Sequence, residues 1–421
     1  MLPADLQPGN GRALRRFAAA CIIVVPLWWS AMFVASMTPA APDRIAIDLD
    51  GYFLPRYVHG SARLAAEALP LWNAAELSGV PLLGTAQGAV LYPPRAVLFG
   101  LLPPLPALHA FMVLHYVLLA VGSFVCLRTL GLGGAGAVFG AVVVTFQPFM
   151  LNGHYAPHWI SNFAWTPFVL ASGMRALAHP SAGAALALAL AVSMQVLAGY
   201  PEYAFDTLLV LAVLLALVGT DVARERGGAA LRRGVLAVAV AAVCTLLVTA
   251  VQWVALLETA RESVRATGDY EFMFGMVFDR GQFEPGLRGW VDALGLLFYA
   301  PPVGWLLVAI GLLLPGLRHR VALAMLAFAC FAIPTWGNAV PPFSLFRGPL
   351  CWHSILHVPL AALAGAGLEI VIGRRGAGAS RWLPVALVVG AVVLCPLLAA
   401  RAIGWLAAGV AGVLIARLAA P

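Results

Sequence analysis

Apolar runs of roughly twenty residues recur from residue 17 to the C-terminus, separated by short polar or arginine-bearing stretches. Because the hydrocarbon core of a bilayer takes roughly 20 apolar residues per helix, the pattern predicts twelve spans. They fall at 17–38, 104–128, 132–150, 160–178, 182–198, 203–220, 234–257, 296–316, 321–335, 352–373, 382–398 and 402–418. The expected fold class is an all-α polytopic membrane protein, one membrane domain over 1–421. Arg12, Arg15 and Arg16 precede the first run as they would in a secretory leader. That run contains Trp28 and Trp29 and has no clear small-x-small cleavage site, so it reads as a retained anchor.

Composition agrees with this picture. Hydrophobic residues make up 62% of the chain and charged residues 10%, against about 25% charged in soluble domains. Twelve spans leave both termini on one side, and with that side cytoplasmic 15 of the 25 basic residues, all arginine, lie inside. This is the orientation that the positive-inside rule favours. The basic balance is therefore a topology signal and implies no nucleic acid. The long polar segments 39–103, 151–159, 258–295 and 336–351 then face outward, where no nucleotide triphosphate or nucleotide sugar is available. Cys21, Cys126, Cys244, Cys330, Cys351 and Cys395 lie in or beside apolar runs without C-x-x-C spacing, which indicates neither a disulfide framework nor a zinc site.

The first outer segment, 39–103, is too long for a structureless link. Within it, Tyr57 to Ala68 places Val58, Ala62, Ala65 and Ala66 on one side, with His59, Arg63 and Glu67 elsewhere, as an interfacial amphipathic helix does. Turns and apolar patches follow, with Trp72 and Tyr92 expected at the water boundary. The segment reads as a folded cap lying on the membrane.

The order D-L-x-x-x-F-x-P from Asp48 to Pro55, then PLWN, then SGVPLLGTAQGAVLYPP, resembles the YfhO family of bacterial membrane proteins, of the GT-C glycosyltransferase class. HYAPHWISNFAWTPFVL, LAGYPEYAF, VQWVALLETARESVR and FSLFRGPLCW follow in the same order, so the resemblance runs from residue 48 to 352. It implies a GT-C-like bundle in the bacterial inner membrane, with both termini cytoplasmic and the active site on the periplasmic face. The implied donor is a polyprenyl-phosphate sugar, and the acceptor a glycan, lipid or protein of the envelope. The sugar is expected to move with inversion, and an acid of the first outer segment to act as base.

Asp48 matches the family's D-L position, and Asp50 is a second carboxylate beside it. A carboxylate within reach of a sugar hydroxyl gives its proton somewhere to go. The D-x-D pair could also hold a divalent metal, although two carboxylates alone make a weak site. A lipid-phosphate leaving group calls for cations, and Arg347, Arg265 and Arg261 are the candidates. Arg261 and Arg265 share a helix face if the seventh span continues outward, and both could instead pair with Glu258 and Glu262. His154 and His158 flank Pro157 in a loop and are candidates for interfacial structure or for substrate contact rather than metal ligation. Glu202, an acid at a span's outer mouth, is a functional candidate, with Tyr200 beside it and Tyr92 as a sugar-stacking or boundary aromatic.

Two other classes compete. A transporter or flippase for a lipid-linked solute should carry ionisable groups near the midplane and internal repeats, whereas here almost every charge maps to a loop or span end. A non-catalytic GT-C-like assembly partner would keep the fold and tolerate Asp48→Asn. The sugar, the acceptor and the oligomeric state are not encoded in any recognisable motif.

Overall fold

The computed structural model describes residues 10–36, 49–66, 68–147, 150, 156–263, 301–314, 317–336 and 350–373. The last two expected spans, most of 258–295 and nearly all of 336–351 lie outside these. The described residues form helices and contain no β-strand, only an antiparallel bridge between Asn73 and Val80. This is the all-α membrane architecture expected. The helices are α1 Asn10–Ser36, α2 Leu54–Ala65, α3 Pro93–Leu101, α4 Pro104–Thr129, α5 Gly134–Thr145, α6 Pro157–Phe163, α7 Thr166–Ala178, α8 Ala182–Leu197, α9 Pro201–Arg226, α10 Gly228–Arg261, α11 Pro301–Leu313, α12 Arg320–Trp336 and α13 Leu350–Val371. A π-helical turn, Leu49–Phe53, leads into α2.

Among the described residues, α4, α9, α10 and the Ser354–Val371 part of α13 are long and apolar enough to cross a membrane. Two predicted spans differ from what is observed. The run 132–150 holds a helix of only 12 residues, α5, roughly 18 Å long at 1.5 Å per residue. The run 160–178 is divided into α6 and α7. Pro167 has no N–H to donate to the Phe163 carbonyl, and its ring crowds that carbonyl, so the helix cannot run through. At the other extreme, α10 has 34 residues, roughly 51 Å, and outruns a core of about 30 Å.

The chain divides into two compact units. In the first (residues 1–15, 123–151 and 271–421), α13 packs against α5, α11 and α12. Lipid tails are as apolar as leucine, so association between such helices relies on close packing through small residues. A Cβ at Gly311 would lie 2.0 Å from the Leu363 carbonyl oxygen, and one at Gly367 2.0 Å from that of Leu307. These glycines let α11 and α13 touch backbone to backbone. The buried Glu369 carboxylate accepts from Gly136 N at 3.0 Å, at the N-terminus of α5, where helix dipole and open N–H groups favour an anion. A Cβ at Gly133 would stand 2.4 Å from Glu369 Oε1. The GLGGAG connection is thus glycine-rich because a carboxylate enters it.

In the second unit (16–122 and 152–270), α7, α8, α9 and α10 form a bundle. α1 is fixed to α4 by Trp29 Nε1 donating to His109 Nδ1 at 3.0 Å and by an edge contact of Trp28 with Tyr116. The first outer segment folds against the end of α10: Gln252 Nε2 donates to the Leu83 carbonyl at 2.9 Å, and Leu82, Leu83 and Val90 pack with Ala255. The amphipathic helix exists as α2, with Pro55 in its first turn, where a missing N–H is harmless. Its protein-facing side is Arg56, Tyr57, Gly60 and Ser61, whereas Ala62 and Ala65 are exposed.

Gly367→Val should lower stability by about 1–3 kcal/mol through overpacking. Thermal unfolding of the detergent-solubilised protein checks this, and an unchanged midpoint would contradict the close contact of α13 with α11.

Candidate functional site

A cluster of aromatic and acidic side chains stands in the second unit where the first outer segment meets α6 and the start of α9. The π-helical turn brings Phe53 flat against His158, with ring centroids 4.3 Å apart and planes at 21°. His158 also meets the edge of Tyr200 at 4.9 Å, and Tyr200 lies 5.6 Å from Tyr203. Tyr52 packs on Phe53 at 4.9 Å and carries the Arg56 guanidinium 3.6 Å above its ring. The Tyr52 hydroxyl donates to Gln87 Oε1. Arg56 makes a two-pronged ion pair with Glu76 through Nε and Nη2 while its Nη1 is buried without a partner. Nearby, a Cβ at Gly199 would lie 2.4 Å from the Ala86 carbonyl, at a backbone φ of +94°. Only glycine allows both that torsion and that approach.

Behind this surface a polar knot sets the helix ends. Asn162 Nδ2 donates to the carbonyls of His158 at 2.8 Å and Ala198 at 3.1 Å. Gln195 Nε2 lies within hydrogen-bond distance of Asn162 O, Thr166 Oγ1 and Thr207 Oγ1. The knot joins α6, α7, α8 and α9, and so fixes the turn that presents Tyr200 and Glu202.

Glu202 is buried, with 7% of its surface exposed, in the first turn of α9. One turn later comes Asp206, fully buried, with neither carboxylate oxygen hydrogen-bonded. The pair falls at i and i+4 on one helix face. The sequence reading did not select Asp206. The signal was available, since an acid inside an apolar span is a functional candidate by default.

The selected residues are placed as follows. His158 and Tyr200 are in ring contact, and Glu202 lies two residues beyond Tyr200. Asp50 belongs to the π-helical turn that ends at Phe53, the residue stacked on His158. Tyr92 is fully buried. Trp165 Nε1 donates to its hydroxyl at 2.7 Å, and the hydroxyl lies 2.6 Å from His115 Nε2. His115 Nδ1 lies 2.6 Å from the Phe111 carbonyl. A carbonyl only accepts, so Nδ1 carries the ring proton and Tyr92 donates to Nε2. Arg261 is exposed at the end of α10, which stops there with Glu262 as its cap. Asp48, His154, Arg265 and Arg347 lie outside the described residues, as does the Asp50 side chain. Among the described residues no three His, Cys, Asp or Glu side chains gather as a metal-holding group.

Burial lowers the His158 imidazole to about 3. Folding therefore selects its neutral form: the stability this contributes is complete above the unfolded value of about 6.5 and is lost as the pH falls from there towards 3. Nδ1 has no partner to lose, so His158→Phe should fold and show a shallower fall of melting temperature between pH 7.5 and 5 than the wild type. An equal fall in both would reject the buried neutral ring. Tyr92→Phe strands Trp165 Nε1 and His115 Nε2 and should cost about 1–3 kcal/mol, read by thermal unfolding. A neutral effect would mean that the hydroxyl chain is not formed.

No protein-family model and no curated protein matches the sequence. Among solved structures, the fold is similar to arabinofuranosyltransferase AftD from Mycobacteria, determined by single-particle cryo-EM. The TM-score is 0.56 at 16% identity, over 97% of this chain and 27% of that one. The chain thus spans about a quarter of AftD, and the similarity shows a helical membrane fold like part of that protein.

Proposed function

We propose that this protein is a membrane glycosyltransferase that moves a sugar, with inversion, from a polyprenyl-phosphate donor to an acceptor hydroxyl at the outer face. The observation that carries the reading is the fold likeness to a glycosyltransferase over nearly the whole chain. The resemblance of the ordered motifs to the YfhO family supports the same class. The aromatic and acidic cluster adds groups of suitable chemistry: rings for an apolar sugar face and carboxylates for hydroxyls.

In the proposed step a carboxylate of the first outer segment, Asp48 or Asp50, takes the proton of the acceptor hydroxyl. The acceptor oxygen bonds to the anomeric carbon as the bond from that carbon to the phosphate oxygen breaks. The electron pair leaves with the phosphate, giving a polyprenyl phosphate. Arg347, Arg265 and Arg261 are the proposed partners of that charge. Glu202 and Asp206 accept hydroxyl hydrogen bonds, and His158 and Tyr200 form the wall. The buried, unpaired Asp206 also favours a second reading, transport of a lipid-linked solute, because intramembrane acids mark solute paths as well as active sites.

The test is transfer of radiolabelled sugar from polyprenyl-phosphate arabinofuranose, mannose and glucose into cell-envelope fractions, with Asp48→Asn, Asp50→Asn and Asp206→Asn at matched folding. Loss of a general base typically costs 10²–10⁴-fold in rate, so one of the first two variants should fall by that much with donor binding kept. Asp206→Asn should weaken donor binding. Wild-type protein that moves intact donor across proteoliposomes without transferring sugar would replace the enzyme by the transporter.

A further inference from the structure

At the opposite end of the second unit from the aromatic cluster, α7, α9 and α10 leave an apolar groove of about 500 Å³. Leu177 of α7, Leu215 and Gly219 of α9, and Leu231, Val235 and Val238 of α10 line it. A Cβ at Gly219 would already stand 3.5 Å from Leu231 and 3.7 Å from Leu177, so any larger residue would begin to close the groove. Gly234 meanwhile lets α10 press against the Leu177 backbone. The wall from Leu215 to Ala223 runs roughly 12 Å along α9 at 1.5 Å per residue. One leaflet of hydrocarbon is about 15 Å deep, half of the core.

Arginines surround the polar end. Arg175, Arg224, Arg232 and Arg233 are exposed, and Arg226 reaches back to the Ala178 carbonyl at 2.7 Å. His179, beside them, is lowered from its ordinary value by burial and by the nearby Arg226 and Arg175. The acids in this region are Asp221 and Glu225, so five arginines stand against two carboxylates. By the positive-inside rule this end faces the cytoplasm, where the leaflet carries anionic lipid.

We propose that this groove is a binding site for an anionic phospholipid, with an acyl chain between α9 and α10 and its phosphate on the arginine rim. A soluble phosphate would use the rim and ignore the groove. A zwitterionic lipid would fill the groove and gain little from the rim. The combination of acyl-sized apolar length and a net positive mouth selects a lipid with net negative charge. Guanidinium groups hold phosphate oxygens in pairs, and basic pockets between spans recruit anionic headgroups in this way. The groove begins roughly 20 Å along α9 from Glu202 and ends roughly 31 Å from it, and it would brace the bundle at the end away from the aromatic cluster.

The full chain in detergent is titrated with phosphatidylglycerol and with phosphatidylcholine of identical acyl chains, and bound lipid is counted by native mass spectrometry. Wild type should favour phosphatidylglycerol at least fivefold. Arg232→Gln with Arg233→Gln, both at exposed positions, should lose about fivefold in phosphatidylglycerol affinity per arginine removed with phosphatidylcholine unchanged. Ala216→Phe should lower both by filling the groove, and if it fails to fold, the arginine pair decides alone. Equal binding of the two lipids by wild type, or an undiminished preference in the arginine variant, would overturn the site. So would full competition by inorganic phosphate, which would make the rim a soluble-anion site.

Discussion

One buried guanidinium holds the first outer segment together. Arg95 is fully enclosed and donates to the carbonyls of Ala89, Val90 and Tyr57 and to Ser61 Oγ. Burial lowers it to about 10, which still leaves it charged at neutral pH, and hydrogen bonds from a charged donor are the strong kind. Through them α2, the turn at residues 89–90 and α3 become one piece. Gly60 is part of the fit, since a Cβ there would lie 3.1 Å from Arg95 Nη1. Everything that the segment delivers to the candidate site follows from this rigidity. On one side of the pin the π-helical turn brings Tyr52 and Phe53 to His158, and on the other Ala86 and Gln87 reach Gly199 and Tyr52.

A cation pinned only by carbonyls and a hydroxyl is hard to foresee from sequence. Arg95 in YPPRAVLFG reads as an interfacial charge, and nothing in the local pattern says that residues 57, 61, 89 and 90 will converge on it. The long spans are legible because each is decided locally: the run 104–128 becomes Pro104–Thr129, and 203–220 lies within Pro201–Arg226. The division at Pro167 was also local and could have been drawn, as the ring forbids the bond to residue 163. The buried face of α2 was not legible. Its apolar stripe turns outward, and its protein contacts are made by an arginine, a tyrosine and a serine, because the bilayer competes with the protein for apolar surface. Tyr92 shows the same limit: an aromatic next to prolines at a span's mouth reads as a boundary residue until Trp165 and His115 arrive from other helices to take its hydroxyl.

The two units meet the problem of packing without a hydrophobic driving force in different ways. α13 relies on glycines facing carbonyls, so it approaches α11 and α5 backbone to backbone at points where a single Cβ would push the helices apart. The α6 to α9 corner relies on Asn162, Gln195, Thr166 and Thr207, side chains that bond one another and the ends of helices. Interhelical polar bonds add only modest energy in a membrane. Their effect here is positional: they determine which residues of the turn before α9 face outward. Backbone contact suits a scaffold, and a directional polar knot suits the end of the bundle where Tyr200 and Glu202 must be aimed.

The acids at the start of α9 bear on how such a site distributes its work. A carboxyl buried with both oxygens unpaired costs about 1–3 kcal/mol, and an apolar residue at position 206 would remove that cost. Packing therefore gives no reason for Asp206, and the polyol binding we propose would supply one, because unpaired acceptors are what hydroxyl groups fill. The proposed base has a different requirement. It must reach the acceptor and then shed its proton, which a fully enclosed carboxyl does poorly. A partly open turn such as Leu49–Phe53, where Gly51 is exposed, serves better. In the reaction we propose, the first outer segment supplies the reacting carboxylate and α9 the fixed acceptors, and the His158 and Phe53 stack is the joint between the two elements.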